Sequence, residues 1–229
     1  DEALYLPNIQ QVRPPRLIEA LRQSLQSQKA IIIEHTAVKN ILVEANTISG
    51  IKTEFENIMA DKVILCSGAW TKNLLPKDTD CELDIDIDIE PVRGQMLLYY
   101  LPEKILPHIV LKDKSYLIPR RDGYILCGST VEHVGFKNEI TSEALQSLQA
   151  IAHELVPLLA NYQPIKQWSA LRPGTQRDTP YICKHPSIKG LFLNSGHYRY
   201  GITMSLASAR IMTELISNSL NTSQIAAVA

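Results

Sequence analysis

The placement of glycine constrains this chain more than any other feature. Glycine occurs at 50, 68, 94, 123, 128, 135, 174, 190, 196 and 201 and nowhere else. No two of these positions are separated by a single residue, so the G-x-G-x-x-G turn that lets a backbone approach a pyrophosphate cannot be placed anywhere in the chain. The content is also low, about 4% against about 7% in ordinary soluble proteins. A protein that cradles a dinucleotide pyrophosphate by itself is therefore excluded. Two strings, "GYILCGST" and "GHYRYGIT", have the four-residue gap of a triphosphate-binding loop but lack its lysine, and the first sits in a strand-like run.

The 229 residues suffice for one large domain or two small ones with a sizeable core. A formal charge of −1 argues against a nucleic-acid partner, which ordinarily demands a basic surplus or stripe. No apolar run approaches the roughly 20 residues that span a bilayer, so no membrane partner is expected. Neither a signal peptide nor a basic leader opens the chain, and its first residue is Asp1, so an amino terminus that is processed, truncated or incomplete is expected. Cys66, Cys81, Cys127 and Cys183 are far apart and form no C-x-x-C, which disfavours zinc and suggests buried free thiols in a reducing cytoplasm.

The hydrophobic pattern gives a mixed fold. Pro14 and Pro15 open an amphipathic helix with Leu17, Ile18, Leu21 and Leu25 on one face. "KAIIIEHTAV" is expected to be a strand, and "NILVEANTISGIKTEF" a hairpin turning at Ala45, Asn46 and Thr47. "ADKVILCSGAW" is a buried strand running into a small turn. From Asp78 to Glu90 acidic residues fill the even positions, with Leu83, Ile85, Ile87 and Ile89 on odd ones. Strict alternation splays carboxylates along one extended face, so a solvated strand face is expected in preference to a cation site. "VRGQMLLYYL" is a strand, and "SYLIPRRDGYILCGST" is two strands joined at Arg121, Asp122 and Gly123. Residues 141–156 form an amphipathic helix ended by Pro157, "IKQWSALRPGT" is β-like, and "GLFLNSG", "HYRYG" and "ITMSLASARIMTELISNSL" make a closing strand, turn and helix. The pattern is α/β at both ends and antiparallel β between about 91 and 185.

Two places carry chemistry. A strand, a glycine turn and a helix amino terminus at 191–203 make an end that stabilises negative charge, and His197, Tyr198, Arg199 and Tyr200 crowd that turn. Arg172, near the end of an apolar strand, either pairs with an internal acid or awaits an external carboxylate. His35, His108, His133, His153 and His185 show no metal spacing.

The strings "VILCSGAW", "PVRGQ", "SYLIPRRDGYILCGST", "SALRPGTQRDTPYI" and "NSGHYRYGITMSLASARIMTELI", in this order, resemble the glycine oxidase/D-amino-acid oxidase family of flavoproteins, with the thiamine-biosynthesis glycine oxidase type most similar. The resemblance runs from about Pro14 to Ile216. It implies an α/β (α+β) fold: 1–90 as the remaining part of an FAD-binding domain, 91–185 as a mostly antiparallel β substrate domain, 186–220 as the return to the FAD-binding domain, and 221–229 as a tail. By position it implies that Arg172 grips a substrate carboxylate through two parallel hydrogen bonds, that Tyr116 orients the substrate, and that Arg199 contributes to substrate or flavin. Gly196, His197, Tyr198, Arg199, Tyr200, Gly201, Ile202 and Thr203 would surround the flavin ring. Val38 would contact the adenine half, Gly68 and Trp70 form the turn beside the cofactor, and Arg93, Gly94 and Gln95 mark the strand entry beside the ring. Tyr200 stands where the family commonly has Asn, and Met204–Leu206 where it often has "LSP"; both reshape the pocket.

The implied activity is oxidation of glycine or a D-amino acid to an imine and then a 2-oxo acid, ammonia and hydrogen peroxide, with FAD as cofactor. The family's glycine-rich segment and ribose-binding acid have no counterpart here, so this chain is expected to be a carboxy-terminal portion or subunit, binding FAD weakly and inactive alone. Its expected partners are a small amino acid and that amino-terminal segment, and a homo-oligomer stays open. A non-catalytic protein that keeps the fold, and a flavin-free carboxylate binder, are the alternatives.

Overall fold

The computed structural model describes residues 4–76, 87–103 and 105–217. In chain order the elements are α1 (Pro14–Ser27), β1 (Val38–Glu44), β2 (Thr47–Thr53), β3 (Asn57–Met59), β4 (Val63–Leu65), α2 (Thr71–Leu74), β5 (Glu90–Tyr100), β6 (Val110–Lys112), β7 (Ser115–Pro119), β8 (Tyr124–Gly128), α3 (Ser142–Leu155), β9 (Lys166–Gly174), β10 (Tyr181–Lys184), β11 (Leu191–Ser195) and α4 (Gly201–Ile216). They divide between two compact units, 1–28 with 92–171 and 29–91 with 172–229.

The first unit is built on a five-stranded sheet in the order β6-β7-β8-β5-β9. β7 and β8 pair antiparallel with Tyr116 opposite Gly128, and β8 pairs antiparallel with β5. Alternation along β5 and β8 turns Leu97, Tyr99, Ile125 and Cys127 to one face, where Leu148 and Ala152 of α3 cover them. Thr141 caps α3 by accepting from the Ala144 N–H, and Val156 breaks it before Pro157. The helix α1 has no buried residue despite its amphipathic sequence. The segment at its start is fixed elsewhere: Gln11 Nε2 donates to Pro119 O at 2.9 Å, and Arg13 pairs with Asp122 at 3.0 Å. Sequence grouped α1 with the chain's first segment; in the structure it clusters with 92–171.

The second unit holds two three-stranded sheets, β1-β2-β3 and β10-β11-β4. Ala45 and Asn46 both take positive φ, 46° and 57°, as a two-residue hairpin turn requires, and Thr47 already belongs to β2. β3 extends the expected hairpin into a three-stranded meander. β11 pairs parallel with β4 and antiparallel with β10.

The expected strand at "KAIIIEHTAV" is not formed until Val38. Residues 31–34 carry no ladder, and Ile31 and Ile33 are exposed. A β-branched run becomes a strand only when another backbone hydrogen-bonds beside it, and no described strand lies along 31–34. The thiols also divide. Cys127 is buried and its pKa is pushed up to about 12 by burial, Cys183 is half-buried, and Cys66, just past the end of β4, is exposed. The acidic run from Asp78 to residue 86, with Cys81, lies outside the described residues, as does the tail 221–229. Among the described residues no helix is long and apolar enough to cross a membrane, and no group of His, Cys, Asp or Glu could hold a metal ion.

Candidate functional site

β4 and β11 run parallel, so their carboxyl ends lie side by side, the edge of an open α/β sheet where ligands gather. A tight turn leaves each strand there. After β4 the chain enters a single 3₁₀ turn, Gly68–Trp70, and then α2; after β11 it passes through Gly196–Tyr200 into α4. A cluster of hydroxyls joins the two turns. Thr71 Oγ1 lies 2.8 Å from both Gly68 O and Ser195 Oγ, Ser195 Oγ donates to Gly68 O at 3.2 Å, and Ser67 Oγ is 3.2 Å from Thr71 Oγ1. Thr71 is fully buried and Ser195 nearly so, which makes these bonds costly to lose and fixes one turn against the other.

The second turn is shaped by Gly196 and His197. Gly196 has φ of 82°, and a Cβ there would lie 3.1 Å from the Tyr181 ring, so only glycine seats the turn on that ring without strain. His197 Nε2 lies 2.8 Å from Ser208 Oγ, two turns into α4, and the His197 carbonyl accepts from the Tyr200 N–H. Burial holds the His197 imidazole below its usual pKa, so the neutral ring makes this contact. The Arg199 guanidinium lies 5.7 Å from the centre of the Tyr198 ring, and Tyr198 takes a positive φ of 46°. Tyr200, Ile202 and Trp70 expose much of their surface, 62%, 45% and 49%. The first turn of α4 has no side-chain cap and no acidic residue, so neither its cap position nor its first turn offsets the positive end of a 16-residue helix.

The remaining sequence-derived candidates fall in three places. Val38, first residue of β1, packs against the apolar cluster of Ile41, Ile48, Leu65, Ile188 and Leu191, in the same unit as Gly68, Trp70 and Gly196–Thr203. Arg172 is half-buried on the last turn of residues in β9, where the second unit resumes. Tyr116 belongs to the first unit, with its hydroxyl 3.9 Å from Met96 Sδ and its ring against Gly128.

Arg93, Gly94 and Gln95 also lie in the first unit, and the two side chains are engaged in an internal network. Arg93 donates to Glu132 Oε2 from Nε at 3.0 Å and Nη2 at 2.5 Å, and to Lys137 O at 3.2 Å. Gln95, with no exposed surface, donates to Glu132 and Thr141 and accepts from the Thr141 N–H and Gln167 Nε2. Burial pushes the Glu132 carboxyl up, but hydrogen bonds from Thr130, Arg93 and Gln95 more than offset it and leave it below the usual carboxylate range.

Sequence reasoning did not single out Thr71, Ser195, Ser208, Asp88 or Tyr181. Small hydroxyls near turns look like ordinary caps until their partners, more than a hundred residues away for Thr71 and Ser195, are known. The available signals were the i, i+4 spacing of Ser67 and Thr71 across the Gly68 turn, and the single acid at 88 enclosed by Ile87 and Ile89.

Comparison with known proteins bears on this arrangement. A profile of FAD dependent oxidoreductases of the DAO type matches residues 1–215. The chain is 43% identical over 216 residues to a glycine oxidase of Pseudomonas aeruginosa, covering 94% of this chain and 58% of that protein. It is 31% identical to the bifunctional protein ThiO/ThiG of Synechocystis, covering 92% of this chain and 31% of the other. Among solved structures, glycine oxidase from Bacillus cereus superposes with a TM-score of 0.81 at 28% identity, over 90% of this chain and 57% of that one. The chain thus spans little more than half the length of the glycine oxidases it matches.

Proposed function

The chain belongs to the family of FAD dependent oxidoreductases of the DAO type, and from that premise we propose that it forms the substrate- and ring-facing part of an amino-acid oxidase acting on glycine or a D-amino acid. The observation that carries this reading is the pair of turns at the ends of β4 and β11, locked together by Thr71 and Ser195 and followed by the uncapped start of α4.

FAD fits what these residues offer. A Cβ placed on Gly68 would meet nothing within 4 Å, so open space adjoins that turn, and the positive end of α4, with no side-chain cap, suits a ring carbonyl that gains negative charge. Gly68, Trp70 and Gly196–Thr203 would hold the ring, Val38 the adenine half, and Arg93–Gln95 would act by bracing the β5 strand. When bound, FAD would supply the two-electron oxidation of an amino acid to its imine, with dioxygen as the final acceptor and hydrogen peroxide as the reduced product.

The residues of the chain supply binding and orientation. Arg172 presents a planar fork of donors that matches a carboxylate bidentately, which fixes the rotation of the α-carbon as well as its position. Tyr116 donates a hydroxyl hydrogen bond, and Arg199 adds positive charge beside the α4 terminus. Neutral His197 holds the turn to Ser208 without adding a charge of its own. Because the chain carries no glycine-rich pyrophosphate turn, it is inactive by itself and works with a segment that supplies one.

The test is Arg172→Ala in the flavin-loaded protein, followed by peroxide release and flavin absorbance. Loss of a bidentate charge-assisted contact should lower kcat/KM by about a hundredfold or more while the flavin spectrum stays that of the parent. Turnover undiminished in this variant would refute the assignment.

A further inference from the structure

Asp88 departs from the solvated face that the alternating pattern predicts for it. Ile87 and Ile89 are buried at 2% and 3% exposure in a cluster with Tyr181 and Leu193, as alternation along an extended chain dictates. The sequence pattern places the intervening acid on a solvated face, yet its carboxylate is fully engaged. Asp88 Oδ1 accepts from Thr175 Oγ1 and from the Tyr181 hydroxyl, each at 2.6 Å, and Oδ2 accepts from the Gln176 N–H at 2.9 Å. The Asp88 N–H donates back to the Tyr181 oxygen at 3.3 Å.

These partners lie on two segments that matter to the proposed site. Thr175 and Gln176 directly follow the end of β9, three and four residues past Arg172. Within that strand end Pro173 has no N–H to give a neighbouring strand. A carboxylate that grips the next two residues adds a hold directly past that strand end. Tyr181 in turn carries the Gly196 turn: its ring lies where a Cβ on Gly196 would come within 3.1 Å, it pairs with Ser195 across β10 and β11, and the Arg177 guanidinium stacks on it 4.6 Å from the ring centre. Burial pushes the Asp88 carboxyl up, but hydrogen bonds from Thr175, Tyr181 and Gln176 more than offset it and keep it ionised below the usual carboxylate range.

We propose that Asp88 is a positioning residue for substrate binding: one carboxylate, anchored by Ile87 and Ile89, sets the strand end that carries Arg172 and the ring on which the Gly196–His197 turn rests. Its effect is exerted through Arg172, so it rests on the reading of Arg172 as the carboxylate-binding group. In this role Asp88 acts through its contacts to Thr175, Gln176 and Tyr181. Its loss is felt as a misaimed guanidinium, which weakens carboxylate binding far more than it alters the flavin.

The experiment is a titration of the flavin-loaded protein with glycolate, a carboxylate with hydroxyl in place of the amine, read by the change in flavin absorbance, with thermal unfolding measured in parallel. Asp88→Asn keeps the shape but puts an NH₂ against a donor, and should weaken glycolate binding about tenfold. Thr175→Val removes the strand arm alone; it should weaken glycolate binding at an unchanged unfolding midpoint, and it decides the matter if Asp88→Asn fails to fold. In an Arg172→Lys background, where bidentate aim is already lost, the Asp88→Asn penalty should shrink to less than about threefold. Glycolate affinity unchanged in Asp88→Asn and Thr175→Val, with Arg172→Ala binding abolished, overturns the proposal and leaves the role of Arg172 standing. A full tenfold penalty in the Arg172→Lys background also overturns it. Unchanged glycolate affinity in Arg172→Ala overturns the reading of Arg172 itself.

Discussion

Replacing Arg93 by Met tests how the β5 strand is held. Arg93 is 5% exposed, and its guanidinium is matched to Glu132 through Nε and Nη2, while the two backbones exchange hydrogen bonds of 2.9 Å in both directions. Met keeps most of the aliphatic volume and removes the charge, leaving Glu132 with Thr130 Oγ1 at 2.5 Å and Gln95 Nε2 at 2.9 Å as donors. Removing one half of a buried pair costs about 3–5 kcal/mol because the other half stays behind unpaired. The Glu132 side chain keeps 22% exposure and these two donors, which places the cost near the bottom of that range, about 3 kcal/mol. The 3.9 Å approach to Glu139, whose side chain is 68% exposed, adds nothing of consequence. For a chain of this size each kcal/mol moves the unfolding midpoint by about 2–4 °C, so thermal unfolding at pH 7 should show a fall of about 6–12 °C. Removing both charges together, Arg93→Met with Glu132→Leu, should recover most of the loss, since no unpaired carboxylate remains. A single variant within about 2 °C of the parent, or a double variant no better than the single, would refute the account. The same experiment addresses the role that resemblance gives Arg93. A residue contacting the flavin edge would alter the flavin spectrum at unchanged stability of the flavin-free chain; a strand brace does the reverse.

Two further outcomes follow from the second unit. Gly196→Ala forces a Cβ into a left-handed conformation and against the Tyr181 ring, and should lower stability by about 1–2 kcal/mol in chemical denaturation, whereas Gly135→Ala, also at positive φ but with open space around it, should show the backbone part alone. The His197 imidazole is held below its usual pKa by burial, so the folded state binds its proton later than the unfolded chain does; stability from this group is complete above about pH 6.5 and is lost as pH falls through the folded pKa. His197→Gln should flatten that arm of the stability profile, measured as unfolding midpoint against pH, and an unchanged slope as pH falls below about 6.5 would contradict it.

Much of the architecture is legible in the chain itself. Local pattern is enough for α3, where Thr141 sets the start and Pro157 the end, for the β7–β8 hairpin turning at Arg121–Gly123, and for the strand, glycine turn and helix at 191–216. Each depends on residues within a few positions of one another. The strand expected at 29–38 begins only at Val38 for the complementary reason: its propensity is real, but a strand is a pairwise object, and no described strand lies along 31–34. The exposed apolar face of α1 follows the same logic, since periodicity predicts a face that can be buried without saying what buries it.

Glycine placement alone excluded a pyrophosphate cradle, and short motifs alone carried the resemblance to a flavoenzyme family and pointed to Arg172, Tyr116 and the turn from Gly196 to Thr203. Those are properties of residue identity and near spacing. Which polar groups hold these residues in place was decided only by tertiary structure. Thr71 meets Ser195 across 124 positions, Asp88 meets Thr175 across 87 and Tyr181 across 93, and Arg93 meets Glu132 across 39. A hydroxyl or carboxylate has short reach and many chemically equal partners in the sequence, so its one partner is selected by the packing of strands and not by any pattern along the chain.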